Sequence, residues 1–159
     1  MISDYNLIQA SQKYKIPLVS VFTKDKPPSK IFSNAGYIIN LQDSTEGSGT
    51  HYVAVYFTYN KDPVYFDSFG QVLPKSVENW IHLLLPHKVI FYNQKEIQWI
   101  QTGYCGIYDL FFIQFMSQQP YHQPPDVSLK KFGNLFSNNP KDNLEILKKH
   151  APYWTYCKG

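Results

Sequence analysis

Two rhythms of apolar and polar residues run along the chain. At the start, Ser3 and Asp4 precede Tyr5, Ile8 and Tyr14 at helical spacing, which predicts a short helix capped by Ser3. After Pro17, Leu18–Phe22 reads as a short strand, followed by a Lys/Pro turn region over Lys24–Lys30. From residue 36 the pattern is that of a sheet. Tyr37–Leu41, His51–Tyr59 and Pro63–Phe69 are rich in Val, Ile, Tyr and Phe. Turn chemistry at Asp43–Gly49 and Asn60-Lys61-Asp62 separates them, which predicts neighbouring antiparallel strands. Helical spacing returns at Lys75–Leu85, between Pro74 and Pro86, through Val77, Trp80, Ile81 and Leu84. Val89–Tyr92 and Glu96–Ile100 revert to strand character. Ile107–Met116 is apolar on nearly every face, as a helix buried in the middle of a fold must be. Past Pro120–Pro125, Ser128–Phe136 and Lys141–His150 read as amphipathic helices or turns with lysines outward. The order predicts an α+β fold: a mixed or antiparallel central sheet packed against a buried central helix.

Composition narrows the function classes. At 159 residues, with no repeat and no long linker, the chain is expected to form one domain over residues 1–159. No apolar run reaches the ~18 residues needed to cross a bilayer. The N-terminus lacks the basic-then-apolar pattern of a signal peptide, so a soluble protein of a reducing compartment is expected. All fifteen basic residues are lysine, which removes the bidentate clamp that arginine offers to phosphate. A net charge of +3 is compatible with weak, salt-sensitive DNA binding and does not establish it. Two cysteines, Cys105 and Cys157, and five histidines without ligand spacing offer no metal site and no phosphate loop is visible, so no cofactor is expected.

What chemistry remains lies in protein side chains. His51 opens a strand after Gly47-Ser48-Gly49-Thr50, and Asp67 ends the next one. Antiparallel pairing would bring imidazole and carboxylate together at one sheet end, where the acid fixes the tautomer of the base. Cys105 heads the central helix between Gly103 and Gly106, where backbone N–H groups and the helix dipole favour a thiolate. The glycines suit a tight turn and close approach of a substrate backbone. Gln98, seven residues before Cys105, could donate its amide to an oxyanion, with the Cys105 N–H as second donor. Taken singly, each residue also has an ordinary reading: a strand-opening histidine, a turn aspartate, a small buried hydrophobe, a polar loop residue.

The segments Tyr37-Ile38-Ile39-Asn40, Gly49-Thr50-His51-Tyr52-Val53-Ala54-Val55, Tyr65-Phe66-Asp67-Ser68-Phe69-Gly70 and Ile97-Gln98 through Cys105-Gly106 resemble a known pattern. It is that of the adenovirus-type maturation proteases (adenains) and their relatives in virophages and Polinton transposons, within the wider clan that includes Ulp1-type SUMO proteases. A weaker match surrounds Asn143–Leu147. The resemblance implies a cysteine endopeptidase with His51, Asp67 and Cys105 as triad. Gln98 matches the oxyanion glutamine, and Gln101 is its competitor. It implies cleavage of capsid precursors at glycine-containing sites, in the virion or the virus factory of the host cytoplasm. Gly49, Thr50, Tyr52, Trp99, Gly103 and Tyr104 would line the substrate channel. The alternative substrate is a SUMO- or ubiquitin-like conjugate. Two departures stand out. Tyr52 replaces the tryptophan that usually follows the catalytic histidine. His87–Lys95 also lacks the cysteine through which adenain takes a disulfide-linked peptide, so no such partner is expected.

Overall fold

The computed structural model describes residues 2–42, 51–99 and 103–157. Helix α1 (Asp4–Lys13) starts where expected, its first turn capped by Ser3, whose Oγ accepts the Asn6 N–H at 3.1 Å. Strands β1 (Leu18–Thr23), β2 (Ala35–Asn40), β3 (Tyr52–Phe57) and β4 (Pro63–Phe66) follow, then helix α2 (Lys75–Leu84) and the two-residue strand β5 (Phe91–Tyr92). Helices α3 (Cys105–Ser117), α4 (Pro125–Gly133) and α5 (Asn143–His150) complete the order, with 3-10 turns at Pro140–Asp142 and Pro152–Tyr156.

The five strands lie side by side in chain order. β2, β3 and β4 form the expected antiparallel meander, while the outer strands β1 and β5 pair parallel to their neighbours. Every residue of β2, β3 and β4 is buried, so the sheet is covered on both faces. The two-residue strand period sorts the side chains. Ile38, Ala54, Tyr56, Val64 and Phe66 pack toward α3. Tyr37, Ile39, Val53, Val55, Phe57 and Tyr65 share the opposite core with Val77, Trp80 and Ile81 of α2. There the Trp80 indole meets the edges of Phe22, Tyr37 and Phe57, and its Nε1–H donates to Pro28 O at 2.9 Å.

Helix α3 is buried without interruption from Cys105 to Ile113, which explains why its sequence shows no polar face. One segment departs from expectation. Residues 96–99 are not a strand. The N–H groups of Ile97 and Gln98 both converge on the Ser68 carbonyl at 2.9 Å, so the segment hangs from one acceptor instead of a ladder. No helix among the described residues is long and apolar enough to cross a membrane.

Candidate active site

The β3–β4 register sets the first half of the site. Ala54 pairs with Phe66, and the same register carried three residues further sets His51 across from Phe69. The two rings stack at 4.5 Å. The chain turns over Asp67–Gly70, with the Gly70 N–H on Asp67 O at 2.8 Å. That turn swings the Asp67 carboxylate beneath the imidazole. His51 Nε2–H donates to Asp67 Oδ1 at 2.9 Å, and the same oxygen accepts the Phe69 N–H at 2.8 Å. With Nε2 so engaged, Nδ1 is the ring nitrogen left to take a proton. It is buried and has no hydrogen-bond partner among the described residues.

Asp67 is itself held by a residue that nothing in the sequence pattern singles out. Asn93 Oδ1 accepts the Asp67 N–H at 2.9 Å, and Asn93 Nδ2 donates to Asp67 O at 2.8 Å and to Lys95 O at 3.2 Å. Its amide thus continues the sheet by one side-chain rung beyond the β4–β5 pair. An asparagine just after a strand reads as a turn residue, and only the parallel pairing of β5 with β4 aims it at Asp67.

Cys105 heads α3, and the structure brings its sulfur to the peptide that joins His51 to Tyr52: the Tyr52 N–H donates to Cys105 Sγ at 3.4 Å. The sulfur side chain is only 3% exposed. Burial pushes the thiol up to about 12, and nearby Asp109 adds to the rise. The Tyr52 and Gly106 N–H groups oppose it without prevailing. The helix terminus was expected to favour a thiolate; in the folded chain desolvation outweighs it and favours the thiol form of Cys105.

Gln98 is fully buried. Ser68 Oγ–H donates to its Oε1 at 2.5 Å. Asn143 Nδ2, at the start of α5, donates to Ile97 O at 2.8 Å and steadies the same segment. Ser68, the residue next to Asp67, therefore links the oxyanion candidate to the turn that carries the acid. Gln101, Gly49 and Thr50 lie outside the described residues.

The remaining channel candidates behave differently from one another. Tyr52 is 4% exposed; its ring joins the core beneath α3 and its hydroxyl donates to Asp4 of α1, so its contribution at the sulfur is its backbone N–H. Trp99 is half-buried with the Lys141 ammonium 5.1 Å from its ring. Tyr104 is the half-buried N-cap of α3. Gly103 has φ +70°, a left-handed backbone that favours glycine, and a Cβ there would meet nothing within 4 Å among the described residues. Gly106 is a glycine for another reason than the one expected: a Cβ would lie 2.6 Å from Ile2 and 3.0 Å from Leu7, so the close approach is by the N-terminal segment and not by a substrate. Cys157 is also buried, its Sγ–H directed to Gly103 O at 3.6 Å. Among the described residues no group of three or more His, Cys, Asp and Glu side chains could hold a metal ion. A cavity of about 300 Å³ lies away from the sulfur, between the segment after β5 and α4, with Phe91, Ile97, Leu129 and Phe132 in its walls.

Comparison with protein-family models and with curated protein sequences gives no match. Among solved structures the chain is similar to the crystal structure of ASFV pS273R protease, with a TM-score of 0.60 and 15% sequence identity; the match covers 95% of this chain and 67% of that one. Se-Met ASFV pS273R protease aligns with a TM-score of 0.48 at 20% identity, over 83% of this chain and 66% of that one. At such identity the likeness is one of fold: the mixed sheet with its buried helix is an architecture shared with the ASFV pS273R protease structure.

Proposed function

We propose that the chain is a cysteine endopeptidase in which Cys105 is the nucleophile, His51 the general base and acid, and Asp67 the residue that orients it. The observation that carries this reading is the contiguous row at the β3–α3 junction. Asp67 Oδ1 takes Nε2–H of His51 at 2.9 Å, and the amide of the very next residue, Tyr52, donates to Cys105 Sγ at 3.4 Å. His51 Nδ1 removes the thiol proton as sulfur attacks the scissile carbonyl carbon. The developing oxyanion is met by Gln98 Nε2–H and the Cys105 N–H. The imidazolium then gives its proton to the departing amine, leaving a thioester. Water, deprotonated by the same imidazole, hydrolyses the thioester and restores the thiol. Because the buried thiol holds its proton, proton transfer and attack belong to one step with substrate in place.

Within this chemistry we assign the substrate as a capsid precursor cleaved at glycine-containing sites during viral maturation, on the adenovirus-type resemblance of the sequence. The place of action is then the virion or the virus factory. Among the described residues nothing crowds Gly103, next to the N-cap of α3, which is consistent with a substrate backbone passing close to the sulfur. A weak DNA contact through the +3 charge belongs to the same proposal.

The test offers three substrates to wild type and Cys105→Ala: glycine-containing precursor peptides, a capsid protein from the genome that encodes this chain, and a ubiquitin-like precursor. Products are read by mass spectrometry. Wild type should cleave beside glycine, and Cys105→Ala should lose cleavage to background. Undiminished cleavage by Cys105→Ala would overturn the mechanism. Cleavage of the ubiquitin-like precursor alone would keep the chemistry and replace the substrate.

A further inference from the structure

Asp109 follows Cys105 by four residues on α3, one helical turn along the same face. It is completely buried, both carboxyl oxygens lack a hydrogen-bond partner, and no ion pair reaches it among the described residues. The titratable groups that act on it or feel it come from every wall of this space: Asp67 from the turn after β4, Tyr65 from β4, Tyr52 from β3 and Cys105 from its own helix. The Tyr65 hydroxyl is likewise buried without a partner. No cation is among these groups.

Burying an unpartnered carboxyl costs several kcal/mol. Around it α3 is a run of Ile, Tyr, Leu and Phe, where an aliphatic side chain would pack at no such cost. Placed here, the acid has one chemical relationship that an aliphatic residue lacks. Two acidic groups in one water-poor space do not ionise independently: the charge on either opposes the charge on the other.

We propose that Asp109 is a positioning residue for the nucleophile, a buried acid set one turn behind Cys105 whose negative charge and that of the sulfur oppose one another. The inference rests on the protease reading for its purpose, which is to hold back free thiolate as pH rises, so that the sulfur yields its proton only to His51 with substrate bound. At rest neither group carries charge. As pH rises, ionisation of Asp109 works against ionisation of Cys105, in line with the upward push that Asp109 exerts on the thiol.

The experiment follows the rate of iodoacetamide alkylation at Cys105 against pH, by mass spectrometry, in wild type, Asp109→Asn and Asp109→Ala without substrate. Asparagine keeps the shape and burial and removes the acid. The alkylation midpoint should fall by at least about one pH unit in both variants, a tenfold or greater rise in rate at a fixed pH between the ionisation of Asp109 and that midpoint. A midpoint unmoved in a folded variant overturns the proposal. Wild type alone gives a second readout, free of any folding defect: at neutral pH its infrared spectrum should contain the carbonyl band of a protonated carboxylic acid. Absence of that band also overturns the proposal. Both measurements concern the resting protein, so they stand apart from the cleavage assay. Failure of Cys105→Ala to abolish cleavage would sink the protease reading and leave the coupling between Asp109 and Cys105 as measured.

Discussion

In the proposed mechanism, a nucleophile that keeps its proton places the burden of activation on His51, and through it on every atom that holds the imidazole. Asp67 Oδ1 receives two N–H groups, one from the ring and one from Phe69, so the carboxylate has little freedom to rotate away. Asn93 then fixes the backbone of Asp67 through both ends of its own amide. Replacing Asp67 by Asn lets the side chain present an NH₂ where Nε2–H now donates, which favours the wrong tautomer or turns the ring. The expected result is a fall in kcat of about 10²–10⁴-fold with a smaller change in KM, measured by steady-state cleavage of the glycine-containing peptide. An undiminished kcat would remove Asp67 from the mechanism. The neutral thiol also separates this site from one built on a preformed thiolate–imidazolium pair: desolvation of a sulfur 3% exposed opposes the charge more than two backbone N–H groups favour it.

Helix α3 is at once the centre of the core and the carrier of the nucleophile, and these two demands collide at Asp109. Its carboxyl is raised well above the ordinary value, by burial first and by Asp67 second. Below about pH 4 the group is protonated in the folded and the unfolded chain alike, and it adds no pH dependence. As pH climbs, only the unfolded chain releases the proton, so the folded state loses up to about 1.4 kcal/mol per pH unit until the buried group itself ionises. Asp109→Asn lacks this slope. Thermal melts should therefore show the variant gaining on wild type from pH 4 toward neutrality, with the two converging at the acid end. A constant difference at all pH values would mean that the carboxyl is not held neutral. The N-terminal end of the same helix is narrowed for packing: Gly106 leaves room for Ile2 and Leu7, and Tyr52 reaches across to Asp4, so α1 is seated directly behind the site.

At the scale of the whole molecule, the site is a meeting of segments far apart in the chain, and its most distant support is Asn143. This side chain, wholly buried at the head of α5, holds the Ile97 carbonyl and closes its own loop through Ser137 N–H and O. Asn143→Ala leaves buried groups on both sides without partners. A loss of about 1–3 kcal/mol in denaturant unfolding is expected. Because the loosened segment carries Gln98, kcat should fall more than KM. A variant destabilised to that extent with unaltered kcat would detach Asn143 from the oxyanion side. The elements themselves were largely legible. The strand period through Tyr37–Leu41 and His51–Tyr59, the Pro-bounded helix at residue 75 and the all-apolar stretch after Cys105 each state a local preference that the fold keeps. Glu96–Ile100 misled, because its alternation is met by the single carbonyl of Ser68 and not by a neighbouring strand. The sequence by itself determined which segments are strands and helices, that the β3–β4 turn brings residue 51 toward residue 67, and that a cysteine heads the buried helix, since periodicity, turn chemistry and short-range register are local properties. Only the tertiary structure decided that β1 and β5 run parallel, that Asn93 and Asn143 brace the site, and that Cys105 rests as a thiol above a buried acid. Those depend on what packs against what, and on how little water remains there.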